Sequence, residues 1–198
     1  DRNEAILAAL SGRGHEILNA GMTRCGAAPE LTYIHTGFLA ALLLGSGRVD
    51  FVVGGCGTGQ GFLNAAMQYP GVACGLLASP LDAWLFARIN GGNCVSLPLN
   101  EGWGWAADVQ LRMLFDALFS AEFGCGYPTA RATSQAGSRA LLREVSHASH
   151  RSLTALLPLL PDAVVGPALA YPGIRALLDP ASLADRALAE ALERRFGG

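Results

Sequence analysis

Phe51-Val52-Val53-Gly54-Gly55-Cys56-Gly57-Thr58-Gly59-Gln60-Gly61 is the stretch that decides the fold class. Three apolar, β-favouring residues run into a glycine-rich turn, and Phe62 to Met67 then restarts with helical spacing. A buried strand that feeds a tight turn and then a helix opens a βαβ unit. In a parallel α/β sheet such a turn lies at the carboxyl end of its strand, where these folds bind ligands. Glycines let the backbone approach a ligand and aim N–H groups at it. A helix start adds partial positive charge and favours an anion.

Cys56 sits inside that turn. A thiol in such a field loses its proton more readily. That suits a general base taking a proton from carbon next to a carbonyl. The N–H groups of the same turn would then hold the enediolate. Two plainer readings compete. The turn could be only a tight strand–helix connection, or it could bind a dinucleotide. Gly57-Thr58-Gly59-Gln60-Gly61 lacks the G-x-G-x-x-G spacing, and no acidic residue follows at the expected place. The cysteine and threonine within the run favour a proton-transfer site over a bare connection.

Outward from this segment the alternation continues. Leu31 to Leu44 has helical spacing and ends at Gly45; Glu16 to Asn19 reads as a strand, and Ala5 to Leu10 as a helix. Downstream, Val72 to Leu77 and Cys94 to Leu97 read as strands. Between them Ser79-Pro80-Leu81-Asp82 starts a helix, with Ser79 as N-cap, Pro80 at N1 and Asp82 completing a short capping box. Trp105 to Phe119 reads as an amphipathic helix with Ala106, Val109, Met113 and Leu114 on one face. Alternating strands and helices imply a parallel sheet covered on both faces. The chain lacks an initial Met and opens in a helix, so a first strand is expected to be missing from it. From about Thr133 the strand signal ends. Ser138 to Leu157 and then Asp179-Pro180 to Phe196 read as helices. The expected organisation is an α/β domain over residues 1–132 and a helical extension over residues 133–198 that packs on the core or on a partner subunit.

Composition narrows the function. The 198 residues are long enough for a substantial core, and 51% are apolar against 15% charged. The net charge of −2 and the lack of a basic stripe argue against nucleic acid. No apolar run approaches the ~18 residues that span a bilayer. All 14 basic residues are Arg, which excludes lysine Schiff bases and a lysine phosphate loop. Five cysteines, with no C-x-x-C and no zinc spacing, read as free thiols in a reducing cytoplasm. Cys74 and Cys94 fit as small core residues. Cys25 and Cys125 lie in loops, the latter within Gly124-Cys125-Gly126. Thiol redox or hydrolase chemistry at Cys56 lacks a C-x-x-C and an assignable His/Asp arrangement.

Gly55-Cys56-Gly57-Thr58-Gly59, then Gly61, Asn64-Ala65-Ala66, Pro70-Gly71-Val72, and Asn90 with Asn93 before a strand, form an ordered set. With it the chain resembles the ribose-5-phosphate isomerase B and galactose-6-phosphate isomerase family over roughly Ile6 to Arg131. The resemblance implies a Rossmann-like αβα sandwich with a five-stranded parallel sheet. It implies aldose–ketose isomerisation of a sugar phosphate without metal or organic cofactor, in homodimers or homotetramers with active sites shared between subunits. Cys56 falls on the family's catalytic base, and Thr58 on a residue assisting proton delivery. Gly57, Gly59 and Gly61 fall on the enediolate loop. Asn90, Tyr33 and His35 fall on substrate-contacting positions, and Arg131 on an arginine that grips the phosphate across the dimer. Ile89 stands where the family has its ring-opening histidine, Thr32 where it has an acidic residue, and the position of a second phosphate arginine falls around Tyr127. Ring opening is thus left to another residue or to a substrate that enters open-chain. A non-catalytic sugar-phosphate-binding or partner subunit of an isomerase complex is the alternative these departures raise.

Other candidates read plainly. His147 and His150 lack a partnering Cys or carboxylate and fit a solvated helix face. Trp103 and Trp105 fit packing under the next helix better than a substrate platform. Arg112 and Arg139 fit surface ion pairs.

Overall fold

The computed structural model describes residues 2–24 and 26–197; Cys25, expected in a loop, lies outside them. Strands β1 (Val52–Cys56), β2 (Cys74–Leu76) and β3 (Cys94–Pro98) form one parallel sheet in the order β1-β3-β2. The α/β class holds, but the described residues make a sheet of three strands, not five. Glu16 to Asn19, expected as a strand, joins no ladder. Ile17 and Leu18 stay more than a third exposed, and Asn19 instead exchanges two amide hydrogen bonds with Asn3, at 3.0 and 2.9 Å. A short apolar run becomes a strand only where a sheet edge offers partners.

Strand alternation sends successive side chains to opposite faces. On one face Val95 and Leu97 bury against α1 (Arg2–Leu10), α4 (Pro80–Leu85) and α5 (Ala107–Leu118), through Ala9, Ala83, Leu111, Leu114, Phe115 and Leu118. On the other face Cys94 packs with Ala40 of α2 (Tyr33–Gly45) and with Phe62 and Ala66 of α3 (Gln60–Ala66). The result is an αβα sandwich with β3 at its fully buried centre. The face of α5 differs from the expected one. Val109 and Met113 are 44% and 56% exposed, while Leu111, Phe115 and Leu118 are buried beside Leu114. The helix carries two apolar stripes, and its docking on the sheet and α4 selects between them.

The α4 cap is as expected: Ser79 Oγ accepts the Asp82 N–H at 3.2 Å and donates to Asp82 Oδ2 at 2.9 Å. The helix does not stay α-helical to Ile89. Phe86–Asn90 widens to a π turn, closed by Gly91 N–H donating to the Phe86 carbonyl, five residues back, at 2.9 Å.

The extension divides in two. Of helices α7 (Leu153–Leu156), α8 (Asp162–Ala170), α9 (Ile174–Leu178) and α10 (Arg186–Phe196), α8 packs on α2, α9 and α10 pack on α8, and α7 packs on α10; Leu157, Val165, Ile174, Leu178 and Leu192 share one buried cluster with Phe38 and Leu42. The last helix begins at Asp185, which caps Leu188 N–H at 3.0 Å; Asp179-Pro180 instead opens a short 3-10 turn. By contrast α6 (Ala132–Ser149) buries no side chain, and Leu141, Leu142 and Val145 on it are 60–67% exposed. No helix of the described residues is long and apolar enough to cross a membrane.

Candidate active site

β1 delivers Cys56 to the carboxyl end of the sheet, opposite Pro98 in register. Its carbonyl accepts Gly59 N–H at 3.0 Å and Leu99 N–H at 2.8 Å, which ties the turn to the strand beside it. The thiol is free and half-buried. Thr58 is exposed at the crest of the turn, its hydroxyl accepting Gln60 N–H at 3.3 Å.

Gly59 is buried, left-handed at φ 74°, and directly precedes α3. Its carbonyl accepts the hydroxyl of fully buried Ser96 at 2.6 Å, anchoring the turn to β3. Gly61 lies under the Tyr33 ring, which a Cβ there would meet at 3.0 Å. Tyr33 is 46% exposed, so the ring stands open to solvent beside the turn. A Cβ at Gly57 would meet Asn100 Nδ2 at 2.8 Å, and Asn100 N–H donates to the Gly57 carbonyl at 2.8 Å. The sequence carries no signal for Ser96 or Asn100, because nothing in β3 or in the residues just after it marks which side chains face the turn.

His35 has both ring nitrogens engaged. Nδ1 accepts the Thr32 N–H at 2.9 Å, so Nε2 carries the hydrogen and donates to the Ala163 carbonyl of α8 at 3.0 Å. In this arrangement it caps α2 and ties it to the extension. A substrate contact through His35 requires one of these bonds to open.

The other expected residues lie elsewhere. Because α4 runs antiparallel to the strands, Asn90 at the end of the π turn sits at the amino end of the sheet. Cys94 and Pro98 are four residue steps apart along β3, a length of about 13 Å. Asn90 and Cys56 are therefore on opposite ends of the same sheet. Arg131 is with Asn90, not with Cys56. The two are linked by the loop 124–126: a Cβ at Gly91 would meet Gly124 at 2.9 Å, and Gly126 abuts Ala132, next to Arg131. Arg131 is exposed, and among the described residues its side chain reaches Ser134, at 3.4 Å. One chain thus presents two half-sets of expected site residues.

Arg139 is not a surface ion-pair residue. Its guanidinium donates to the carbonyls of Ile89 and Gly124, both at 2.8 Å. Arg112 does pair as expected, with Asp108 at 2.7 Å. Trp103 packs and donates to the Pro98 carbonyl at 3.2 Å, whereas Trp105 is fully exposed. Cys74 lies opposite Cys94 in the β2–β3 register. The hydrogen bond to Cys74, then burial, push the Cys94 thiol up from its ordinary range. Among the described residues no three His, Cys, Asp or Glu side chains gather as a metal site.

Residues 1–132 match the family model for ribose/galactose isomerases. The chain belongs to this family. Its structure is similar to that of a 4-deoxy-L-threo-5-hexosulose-uronate ketol-isomerase complexed with a tartrate, at 35% identity and a TM-score of 0.91 over 100% of this chain and 94% of the other. It is similar to a ribose-5-phosphate isomerase from Vibrio parahaemolyticus, at 36% identity and a TM-score of 0.89 over 97% and 90%. The ribose-5-phosphate isomerase B of Clostridium thermocellum shares the fold at 22% identity, with a TM-score of 0.60 over 74% and 89%. A comparison with curated protein sequences gave no match. As a member of the ribose/galactose isomerase family the chain is an enzyme of sugar isomerisation. The first two relatives extend the likeness through residues 133–198, beyond the span of the family model.

Proposed function

We propose that this isomerase interconverts an aldose and a ketose bearing an anionic group, a sugar phosphate in the pattern of its family, with Cys56 as general base. The placement of the free Cys56 thiol beside the Gly57–Gly59 turn carries the reading. The thiolate takes the proton from the carbon next to the carbonyl. The turn's backbone N–H groups hold the enediolate oxygen, and Thr58 moves protons between the substrate oxygens. Return of the proton to the neighbouring carbon completes an internal redox exchange that consumes no external electrons.

A second copy of the chain completes the site in this proposal. Asn90 and Arg131 are too far from Cys56 to act on one small substrate within a chain, and the bare apolar face of α6 fits a subunit contact. Homodimers or homotetramers supply Cys56 from one copy and Asn90 with Arg131 from the next.

One observation favours a second substrate, the hexosulose-uronate named for the structural relative that matches the whole chain. A 4-deoxy-5-ulose has no hydroxyl at C4 or C5 with which its aldehyde could close a furanose or pyranose. It needs no ring-opening histidine, and Ile89 stands at that position. Its carboxylate also carries less charge than a phosphate, consistent with Tyr127 near the place of a second arginine.

The test is solvent-deuterium incorporation into ribose 5-phosphate and into the hexosulose-uronate. Cys56→Ala is expected to abolish exchange while retaining the fold. Undiminished exchange in that variant refutes the base assignment. Turnover of one substrate alone decides between the two.

A further inference from the structure

We infer that Arg139 is a positioning residue that holds the Asn90 turn in place, and so couples the extension to the active site. This rests on the substrate role proposed for Asn90. The π turn Phe86–Asn90 leaves its last carbonyls without partners in the helix, as any helix end does. Three of them are met from outside. Gly124 N–H donates to the Ala87 carbonyl at 2.7 Å, and Gly126 N–H to the Arg88 carbonyl at 2.8 Å. Arg139 donates to the Ile89 carbonyl at 2.8 Å, immediately before Asn90.

Arg139 also donates to the Gly124 carbonyl at 2.8 Å, so one guanidinium spans both sides of the clamp. The planar fork of arginine suits it to hold two carbonyls at once, which an ammonium cannot do with the same geometry. The approach is close: a Cβ at Gly124 would meet Arg139 Nη2 at 2.9 Å, and Gly124 is left-handed at φ 77°. Because α6 buries no apolar side chain, this polar clamp is a principal fixture between that helix and the core. It is joined by Ser146 Oγ, which accepts Gly71 N–H at 3.3 Å. Asn90 itself is exposed and free to meet substrate. What Arg139 fixes is the backbone that aims it. Charge-assisted bonds of this kind are the stronger ones, and loss of aim by an ångström is costly to catalysis.

The experiment is a double-mutant cycle on the full chain, with Arg139→Ala and Asn90→Ala, read as kcat/KM for ribose 5-phosphate and the hexosulose-uronate, alongside Tm and oligomeric state. If Arg139 acts through Asn90, each single variant loses activity, by about tenfold or more, and the double variant is no worse than Asn90→Ala alone. Arg139→Lys, which keeps the charge but loses the planar fork that reaches both carbonyls, is expected to fall between wild type and Arg139→Ala. It also serves if the alanine variant folds poorly. Multiplicative losses in the double variant overturn the inference, as does full activity of Arg139→Ala. An Asn90→Ala variant with wild-type activity overturns the underlying role of Asn90 and the clamp's purpose together. A costly Asn90→Ala with a harmless Arg139→Ala overturns the clamp alone.

Discussion

Replacing Gly59 by alanine tests whether the Cys56–Gly59 turn is set by its packing against the sheet. Gly59 has φ 74°, and a left-handed backbone costs a non-glycine residue about 1–2 kcal/mol. The new methyl would also overlap Leu76 Cδ1 and lie 3.2 Å from the backbone of Leu97 and Pro98. Leu76 can turn aside, but the buried centre of the sheet cannot, and overpacking typically adds about 1–3 kcal/mol. The sum is roughly 2–5 kcal/mol. For a chain of this size that lowers Tm by about 5–20 °C. Gly57→Ala is the internal control. Its φ needs no left-handed backbone, and the methyl meets only the Asn100 side-chain amide, whose tip can move. It should leave Tm within about 2 °C while crowding the space where the enediolate is expected. Thermal unfolding at matched protein concentration reads the first effect, and deuterium exchange the second. Equal Tm values for the two variants would refute the claim that the sheet behind Gly59 sets the turn.

Four further outcomes follow from the same geometry. If the sites are shared across a homodimer as proposed, mixing equal amounts of Cys56→Ala and Asn90→Ala chains under conditions that exchange subunits should restore about a quarter of wild-type activity, because half of such dimers would be hybrids with one intact site; no recovery would count against a shared site. Ser79→Ala removes the cap of α4 and should cost about 1 kcal/mol, read as a drop of about 2–4 °C in Tm. Burial raises the pKa of Tyr69 above its ordinary value of 10.0, so the folded state keeps its proton longer than the unfolded chain does. Its stabilising contribution is complete below pH 10 and is lost as pH rises beyond it; Tyr69→Phe should flatten that part of the stability profile. Thiol labelling of the native protein should find exposed Cys125 reacting well before Cys94, which is buried and held protonated; equal rates would contradict the packing at β2–β3.

Local signals were legible where the chemistry is local. The β1–turn–α3 unit followed from three β-favouring residues, a glycine run and a helical restart. The Ser79-Pro80-Asp82 start of α4 followed from capping chemistry, and the structure bears out both. Glu16 to Asn19 misled because an apolar run records a preference, whereas a strand needs a neighbour. The face of α5 misled because two apolar stripes fit one helical period, and the docking surface chose. Ser96, Asn100 and Arg139 were silent or misread, since hydrogen bonds spanning 37 or 50 residues leave no spacing to detect.

By itself the sequence determined that a thiol stands within a glycine turn at the end of a strand, because strand, turn and helix propensities act over a few residues; that β1 lies at the sheet edge and is only half-buried was decided by the fold. Only the tertiary structure decided where the remaining residues go. Parallel strands with antiparallel helices put every strand end on one side of the sheet and every helix end on the other. That geometry separates Cys56 from Asn90 and Arg131 within one chain, and it brings Arg139 of α6 onto the turn that carries Asn90.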